Sequence, residues 1–523
     1  MKRNRILALA LALLLVLSCA ACGTADDEPE TSEVIDDRPT VDAADNLFAI
    51  NYSSSAAMNP YTTDNILNQV AGELIYEQLI ELDDTFHAQP KLITAWSSED
   101  GVTWTFTVDT SRVFHDGHYL TAEDVAYTIT SAQESALYAS RLRNITSVTA
   151  EEDGVTVTVT LNRANTQFPL LLSIPCIENN AMSYTYPSGT GPFYYGDDYT
   201  YLVLNQGHPD AGSIPVDTIY LREYDSMEEV INAFDSGALD LVCNDPTSET
   251  DLSFSSVSES RQYNTTNLQY IGFNTNRNFC SHPEYRKAIA TAVDRAYAVS
   301  LLGDAGVATA LPVHPMSDLF DEQLGTSLAY DMGVTSTALT NAKVVDYDGD
   351  GEREYLASET SAEATDLALT LLVCSDSTQK TAVANKLAAD LRQIGVNVEV
   401  KGLPWEEYLE ALAAGNFDMY YGELRLTADF DLTPVLVSGG SVNYGGASNA
   451  DIESAITAYL AADDDHRMEA CYELLTLVAD NAPIVPVCFE KHEVCARRGV
   501  VGGFTPTQYN IFHDLASWTI DLN

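Results

Sequence analysis

Residues 104–127 read WTFTVDTSRVFHDGHYLTAEDVAY, a strand, a turn and a helix start in immediate succession. Trp104, Phe106 and Val108 alternate with Thr103, Thr105 and Thr107, the period of two that marks a half-buried strand. His115-Asp116-Gly117 supplies a polar break and a residue free to take positive φ. Thr121 is a good N-cap, and Asp124 three residues later completes an acidic capping box. Elements of both kinds packed so closely point to an α/β scaffold.

Outward from this stretch the same alternation continues. Upstream, residues 47–50 read as a strand, Met58-Asn59-Pro60 as a turn, and 66–82 as a helix carrying Val70, Leu74 and Ile75 at helical spacing. Downstream, 155–161 alternates valine and threonine, and Ser188-Gly189-Thr190-Gly191-Pro192-Phe193 is a glycine-bracketed turn at a domain crossing. Ser226-Met227-Glu228-Glu229 opens a second capped helix between strands at 219–221 and 239–242, a βαβ unit. A strand at 268–274 feeds one helix over 282–302, with Pro283 in its first turn. From residue 367 onward, strand, helix 379–394, strand 396–400, helix 405–414 and strand 417–421 predict a mixed sheet covered by helices. Residues 484–501 read as strand and hairpin. A chain of 523 residues has room for about three domains of roughly 150 residues each.

The first residues carry an address. Lys2, Arg3 and Arg5 precede an apolar run over 6–17, shorter than the ~18 residues that span a bilayer. The run ends in Leu17-Ser18-Cys19-Ala20-Ala21-Cys22-Gly23, which resembles a bacterial lipobox. Residues 1–21 therefore read as a lipoprotein signal peptide with Cys22 as the lipidated residue; Cys19 and an ordinary cleaved signal are the alternatives. Residues 22–43 read as an acidic, disordered tether. The formal net charge is -51, which argues against nucleic acid and anionic lipid surfaces as partners and favours solubility. Once Cys19 and Cys22 are set aside, the nine cysteines leave an odd number with no metal-binding spacing. Cys243 and Cys374 read as buried thiols, and Cys488 could pair with Cys495 across the terminal hairpin.

Five motifs in order resemble one family. They are Gly101-x-x-Trp104-x-Phe106 with Phe114-His115-Asp116-Gly117 and Thr121-Ala122-x-Asp124-Val125-x-Tyr127; Gly189-Thr190-Gly191-Pro192-Phe193; Ile271-Gly272-Phe273-Asn274-Thr275 with Arg286-Lys287-Ala288-Ile289 and Ala292-Val293-Asp294-Arg295; Trp405 through Phe417-Asp418; and Pro483-Ile484-Val485-Pro486. Together they resemble bacterial extracellular solute-binding proteins of the oligopeptide-, dipeptide- and nickel-binding class, the receptor lipoproteins of ABC importers.

The resemblance implies a two-lobed, periplasmic-binding-protein-like (type II) fold with an additional domain beside the first lobe. Lobe I would combine 44–60, 185–272 and 489–523, the accessory domain would span 61–184, and lobe II 273–488. The implied activity is non-enzymatic: capture of a small solute, a short peptide first of all, in an inter-lobe cleft, and delivery to an ABC permease with its ATPase. The alternatives are a metal chelate, sugar or amine as ligand, or a sensory lipoprotein without transport. The chain is expected to act as a monomer at the outer face of the cytoplasmic membrane, lipid-anchored, with no cofactor and no resident metal. HExxH, GxSxG, Walker and strand-GxGxxG patterns are missing from the sequence.

Candidate ligand contacts concentrate between 405 and 446. Asp429, in Ala428-Asp429-Phe430-Asp431, either meets a ligand ammonium, as the resemblance implies, or is a solvated loop acid. Arg425 either takes a ligand carboxylate or offsets Glu423 and Asp429. Trp405 and Tyr421 could form aromatic walls or pack in the core, and Asn443-Tyr444-Gly445-Gly446 reads as a binding loop. Asp346-Tyr347-Asp348-Gly349-Asp350-Gly351-Glu352 imitates the start of a calcium loop, but Ala357 stands where its last carboxylate belongs, which makes an acidic surface turn the expectation. His115 is expected to hold its own turn by hydrogen bonding.

Overall fold

Two long strands, Ser258–Phe273 and Ile484–Arg497, pair antiparallel and form the middle of an eleven-stranded mixed sheet. To one side lie Met419–Arg425, Ala368–Cys374 and Asn397–Leu403; to the other lie Leu241–Asn244, Phe48–Asn51, Thr218–Arg222, Tyr201–Leu204 and Phe193–Tyr195. Gly306–Ala308 adds to Ile484–Arg497 off this path. The computed structural model describes residues 40–247, 252–277, 279–356 and 363–522. The signal segment, Cys22 and most of the expected tether fall outside them. The body begins before residue 44: the Val41 N–H donates to the Arg498 carbonyl at 2.8 Å, and Arg497 donates to the Asp42 carbonyl at 3.0 Å.

Each side of the sheet follows from local patterning. Phe48–Asn51 runs parallel to both Thr218–Arg222 and Leu241–Asn244, and the helix Met227–Ser236 connects those two. Ser226 caps that helix through the Glu229 N–H, and Gly237 ends it at φ 79°. On the other side Ala368–Cys374 lies parallel to Asn397–Leu403 and Met419–Arg425, with helices Thr378–Gln393 and Trp405–Ala414 between them. That half has a core of its own, drawn entirely from residues between 271 and 488.

A separate four-stranded antiparallel sheet, Ile93–Ser97, Thr103–Val108, Thr156–Leu161 and Ile145–Ala150 in that order, contains the stretch quoted first. Trp104, Phe106 and Val108 are buried and the intervening threonines exposed, as their alternation predicts. The helix Ala122–Glu134 begins in the capping box of Thr121 and Asp124 and packs on the sheet through Val125, Ile129 and Ala132. His115 ties this region to the glycine turn: its ring meets the Gly191 carbonyl at 2.9 Å, and its N–H donates to the Gly189 carbonyl at 3.0 Å. Both glycines are required by close approach, because a Cβ would lie 2.0 Å from the Ile75 oxygen at Gly189 and 2.6 Å from it at Gly191.

The arginines of the third motif serve backbone carbonyls. Arg286 donates to Cys280, Asn481 and Ala482, and Arg295 to Thr309, Leu328 and Pro486, which binds this motif to the Pro483–Pro486 motif. Their burial lowers both pKa values, Arg295 to about 10.

Three expectations need correction. The helix foreseen over 66–82 stops at Glu73, because the Leu74 and Ile75 carbonyls accept from Phe193 and Gly191, and Ile80–Leu82 is a strand paired with Ala88–Pro90. The helix foreseen over 282–302 breaks into Pro283–Ala290 and Arg295–Ser300, where Asp294 caps the second piece through the Tyr297 N–H. Ile484–Arg497 is one strand and not a hairpin: Cys488 and Cys495 stand seven residues apart in it, about 23 Å at ~3.3 Å per residue, far beyond disulfide reach. All seven described cysteines are free, and Cys243 and Cys374 are half-buried.

Two measurements check this architecture. Alkylation of the unfolded protein followed by peptide mass spectrometry should modify Cys488 and Cys495 equally with and without prior reduction; dependence on reductant would reveal a bridge. Arg286→Ala strands two buried carbonyls and one part-buried one and should lower stability in denaturant titration by about 3 kcal/mol, against less than about 1 kcal/mol for Lys287→Ala, whose pair with Asp480 is half-exposed.

Candidate functional site

Three distant segments converge below the end of the strand Met419–Arg425. The helix Ile66–Glu73, capped by Asn65, delivers Glu73 at its last position, with Tyr76 and Gln78 in the turn beyond. The loop after Ala122–Glu134 delivers Tyr138 and Arg141, and the C-terminal segment delivers Gln508 and Tyr509. Between them lies a cavity of about 160 Å³ lined by Glu73, Gln78, Tyr138, Arg141, Arg425 and Tyr509. It continues past Ser173, Gln508 and Thr427 into a second space of about 180 Å³, and the two share Arg141 and Arg425. Beyond Leu170 and Ala428 a wider opening of about 540 Å³ is walled by Phe86, Trp96, Trp104 and Met468.

The placement of this cleft originates in the central strand pair. Their register shifts between Asn264 and Leu268, which frees Thr265 and Thr266 from the ladder. Thr266 instead accepts the Leu426 N–H at its carbonyl at 3.0 Å, donates its hydroxyl to the Leu426 carbonyl at 2.6 Å and its N–H to the Gln508 side-chain oxygen at 2.5 Å. Arg425, opposite Asn267, and Gln508 are thereby fixed to the same irregularity.

Arg141 and Arg425 both line this cleft. Arg141 donates to the Ser173 carbonyl at 3.2 Å and hydroxyl at 3.3 Å and lies 5.3 Å from the Tyr138 ring centroid. Among the described residues neither it nor Arg425 has a carboxylate within ion-pair distance. Burial first, then the neighbouring Arg425 guanidinium, holds Arg141 below the ordinary arginine range. By contrast Arg143 and Arg163 both donate to Asp431 at 2.8 Å. Glu73 is the acid of the cleft. Its carboxylate accepts from the Ile511 N–H at 2.5 Å, and burial pushes its pKa up to about 8 against the pull of that bond and of Arg425.

Of the six residues singled out in sequence, Arg425 lines the cleft. Asp429 is 1% exposed, which excludes the solvated loop acid; its carboxylate accepts from Asn165 at 2.8 Å and from the Thr427 hydroxyl. Burial, and then Asp431, raise its pKa. Tyr421 is in the core and donates to Gln269 at 2.7 Å. Trp405 is 52% exposed on its helix and stacked on Tyr408, so it is neither core nor cleft. Asn443 bonds the Val437 and Ala447 carbonyls of its own loop, and Tyr444 packs edge-on to Tyr420. The acidic turn brings Asp346, Asp348, Asp350 and Glu354 to within 4.8 Å of one another, Glu354 being a member that the calcium-loop spacing overlooked; these acids accept backbone N–H groups of the turn. Glu73, Arg141, Gln508 and Tyr509 were not foreseen. No sequence signal marked them: they share no motif or spacing along the chain.

Comparison with known proteins agrees with this architecture. The description "Bacterial extracellular solute-binding proteins, family 5 Middle" matches residues 87–438. Heme-binding protein A of Haemophilus influenzae is 21% identical over 93% of this chain and 94% of its own. The structure of HbpA2 from Haemophilus parasuis superposes with a TM-score of 0.74 at 17% identity, covering 91% of this chain and 99% of that one. The oligopeptide-binding protein AppA from Bacillus subtilis, solved with a nonapeptide, gives 0.62 at 18% identity over 90% and 98%. The accessory sheet that opened the sequence reading and the sheet built on two long central strands are thus those of a known receptor fold, and the chain belongs to the bacterial extracellular solute-binding proteins of family 5, the substrate receptors of ABC importers.

Proposed function

We propose that this receptor captures a small carboxylate-bearing solute, a short peptide by preference, in the cleft between Arg141 and Arg425, and passes it to an ABC permease. One observation carries the reading: two guanidinium groups without carboxylate partners face one cleft in a chain with a large excess of acids. Leaving two like charges together is costly unless an anion joins them, and a carboxylate accepts a guanidinium fork in bidentate fashion. The wider opening beyond Leu170 gives apolar side chains of such a solute a place to lie. The chain acts as a receptor and not as an enzyme, and Cys22 carries the lipid that holds it outside the cell membrane. Among the described residues no helix is long and apolar enough to cross a membrane.

A metal chelate whose charge is borne by carboxylates would use the same arginines. Mass spectrometry of the solute that co-purifies, with a metal assay on the same sample, separates the two: a peptide without metal supports the first reading, a metal-loaded chelate the second. In either case Arg425→Gln should weaken binding of the identified solute by about 10- to 100-fold, equivalent to about 1.4–2.8 kcal/mol, in calorimetric titration. Unchanged affinity in that variant would remove the arginine pair from the site.

A further inference from the structure

Glu73 shares the arginine cavity without being tied to it. It lines the same space of about 160 Å³ as Arg141 and Arg425, yet among the described residues it is within ion-pair distance of neither. The helix Ile66–Glu73 ends on it, and one of its oxygens accepts the Ile511 N–H at 2.5 Å. Behind it lies a second chamber of about 270 Å³, where the cations are already engaged. Glu77 takes Lys91, Arg112 and His208, and Lys91 also meets Glu81. His513 bonds Thr505 at 3.3 Å, and the acids Asp210 and Asp514 bring no positive charge. On the cleft side burial holds Tyr138, Tyr263, Tyr509 and Cys243 neutral. Arg425 is thus the one cation that acts on Glu73. A neutral carboxyl can donate one hydrogen bond, whereas an ionised one only accepts. The two forms therefore treat an arriving carboxylate in opposite ways.

We propose that Glu73 decides whether the arginine cleft accepts an anion: neutral, it leaves both guanidinium groups to a solute carboxylate and offers that carboxylate a hydrogen bond; ionised, it draws Arg425 to itself and turns the anion away. The inference rests on the carboxylate reading given above and adds to it a specificity-determining residue. Arg425 is the arginine free to be drawn, because Ser173 and the Tyr138 ring hold Arg141 in place. The sign follows from the proton. Burial raises the pKa of Glu73 to about 8, so the group is largely neutral at pH 7. A bound anion favours the neutral form further. Affinity is therefore level below pH 7 and falls above pH 8 by up to about tenfold per pH unit, with a proton taken up on binding. Burial lifts Tyr138 and Tyr509 above the ordinary tyrosine value, which keeps them out of this range.

The test is calorimetry on the purified chain between pH 6 and 9. The probe is N-acetyl-trialanine, because the free amine of trialanine itself titrates near ~8. Affinity should hold from pH 6 to 7 and be about tenfold weaker at pH 9. Binding at pH 8 should take up a proton, seen as an enthalpy that varies with the ionisation heat of the buffer. Glu73→Gln keeps an acceptor for the Ile511 N–H and cannot ionise; its affinity should be the same at pH 6 and pH 9, with no proton exchanged. If that variant does not fold, proton uptake by the unaltered chain at pH 8 decides, and release or no exchange overturns the proposal. Affinity that is level or rises to pH 9, while Arg425→Gln still weakens binding at pH 7, removes Glu73 from the site and leaves the carboxylate reading standing. A loss at pH 9 that Glu73→Gln retains does the same, since another group then carries it. If trialanine binds and its acetylated form does not, the comparison is made on trialanine, and a pH 9 loss that Glu73→Gln leaves undiminished overturns the proposal. Failure of both probes to bind overturns both readings.

Discussion

The structure depends on the antiparallel pairing of Ser258–Phe273 with Ile484–Arg497. Every other strand of the large sheet is reached through these two, so their mutual register fixes where each half of the molecule stands. A perfectly regular pair would hold Thr265 and Thr266 as ladder members and leave no departure point for a site. The register shift instead turns Thr266 toward Leu426 and Gln508 and sets Arg425 at the end of its strand, facing the N-terminal segments. One local irregularity thus converts a continuous sheet into a wall with charged groups at its break, consistent with the placement of bulges near functional sites in other sheets.

The loop after that strand shows how the same chemistry serves two ends. Asp431 receives Arg143 and Arg163, and Asp429 receives Asn165, so residues 427–433 are fastened to the accessory sheet by satisfied pairs. A few residues away, Arg141 and Arg425 lie close enough to perturb each other with no acid to join them. Fully partnered charges fix position; charges without partners define what a ligand must bring.

Local chemistry was legible in the sequence wherever the signal and its partner were close along the chain. Thr121 with Asp124, Ser226 with Glu229, and the alternation through Trp104, Phe106 and Val108 act within a few residues, and the structure shows each. The motif arginines were legible as landmarks, but their partners, carboxyl-terminal carbonyls some two hundred residues away, were not. The helix end at Glu73 was misread because distant backbone, at Gly191 and Phe193, takes the carbonyls that a longer helix would use, and the break after Ala290 because Asp294 starts a new helix as its cap. The cleft was the least legible feature. Glu73, Arg141, Arg425 and Tyr509 are separated by long intervals and share no spacing, so only the fold brings them together. Trp405 illustrates the converse: an aromatic flanked by family landmarks that ends half-exposed.

The acidity of the whole chain acquires a further meaning beside a cleft of mixed sign. With 77 acidic residues against 26 basic ones, the exterior field repels a net anion once it comes within roughly a Debye length, ~8 Å at physiological ionic strength. A molecule whose charges cancel feels no such repulsion; the field can only turn it, cationic end toward the acids. Discrimination therefore begins during diffusion, as a difference in encounter rate between anions and neutral dipoles, and dissolved salt sets how steep that difference is.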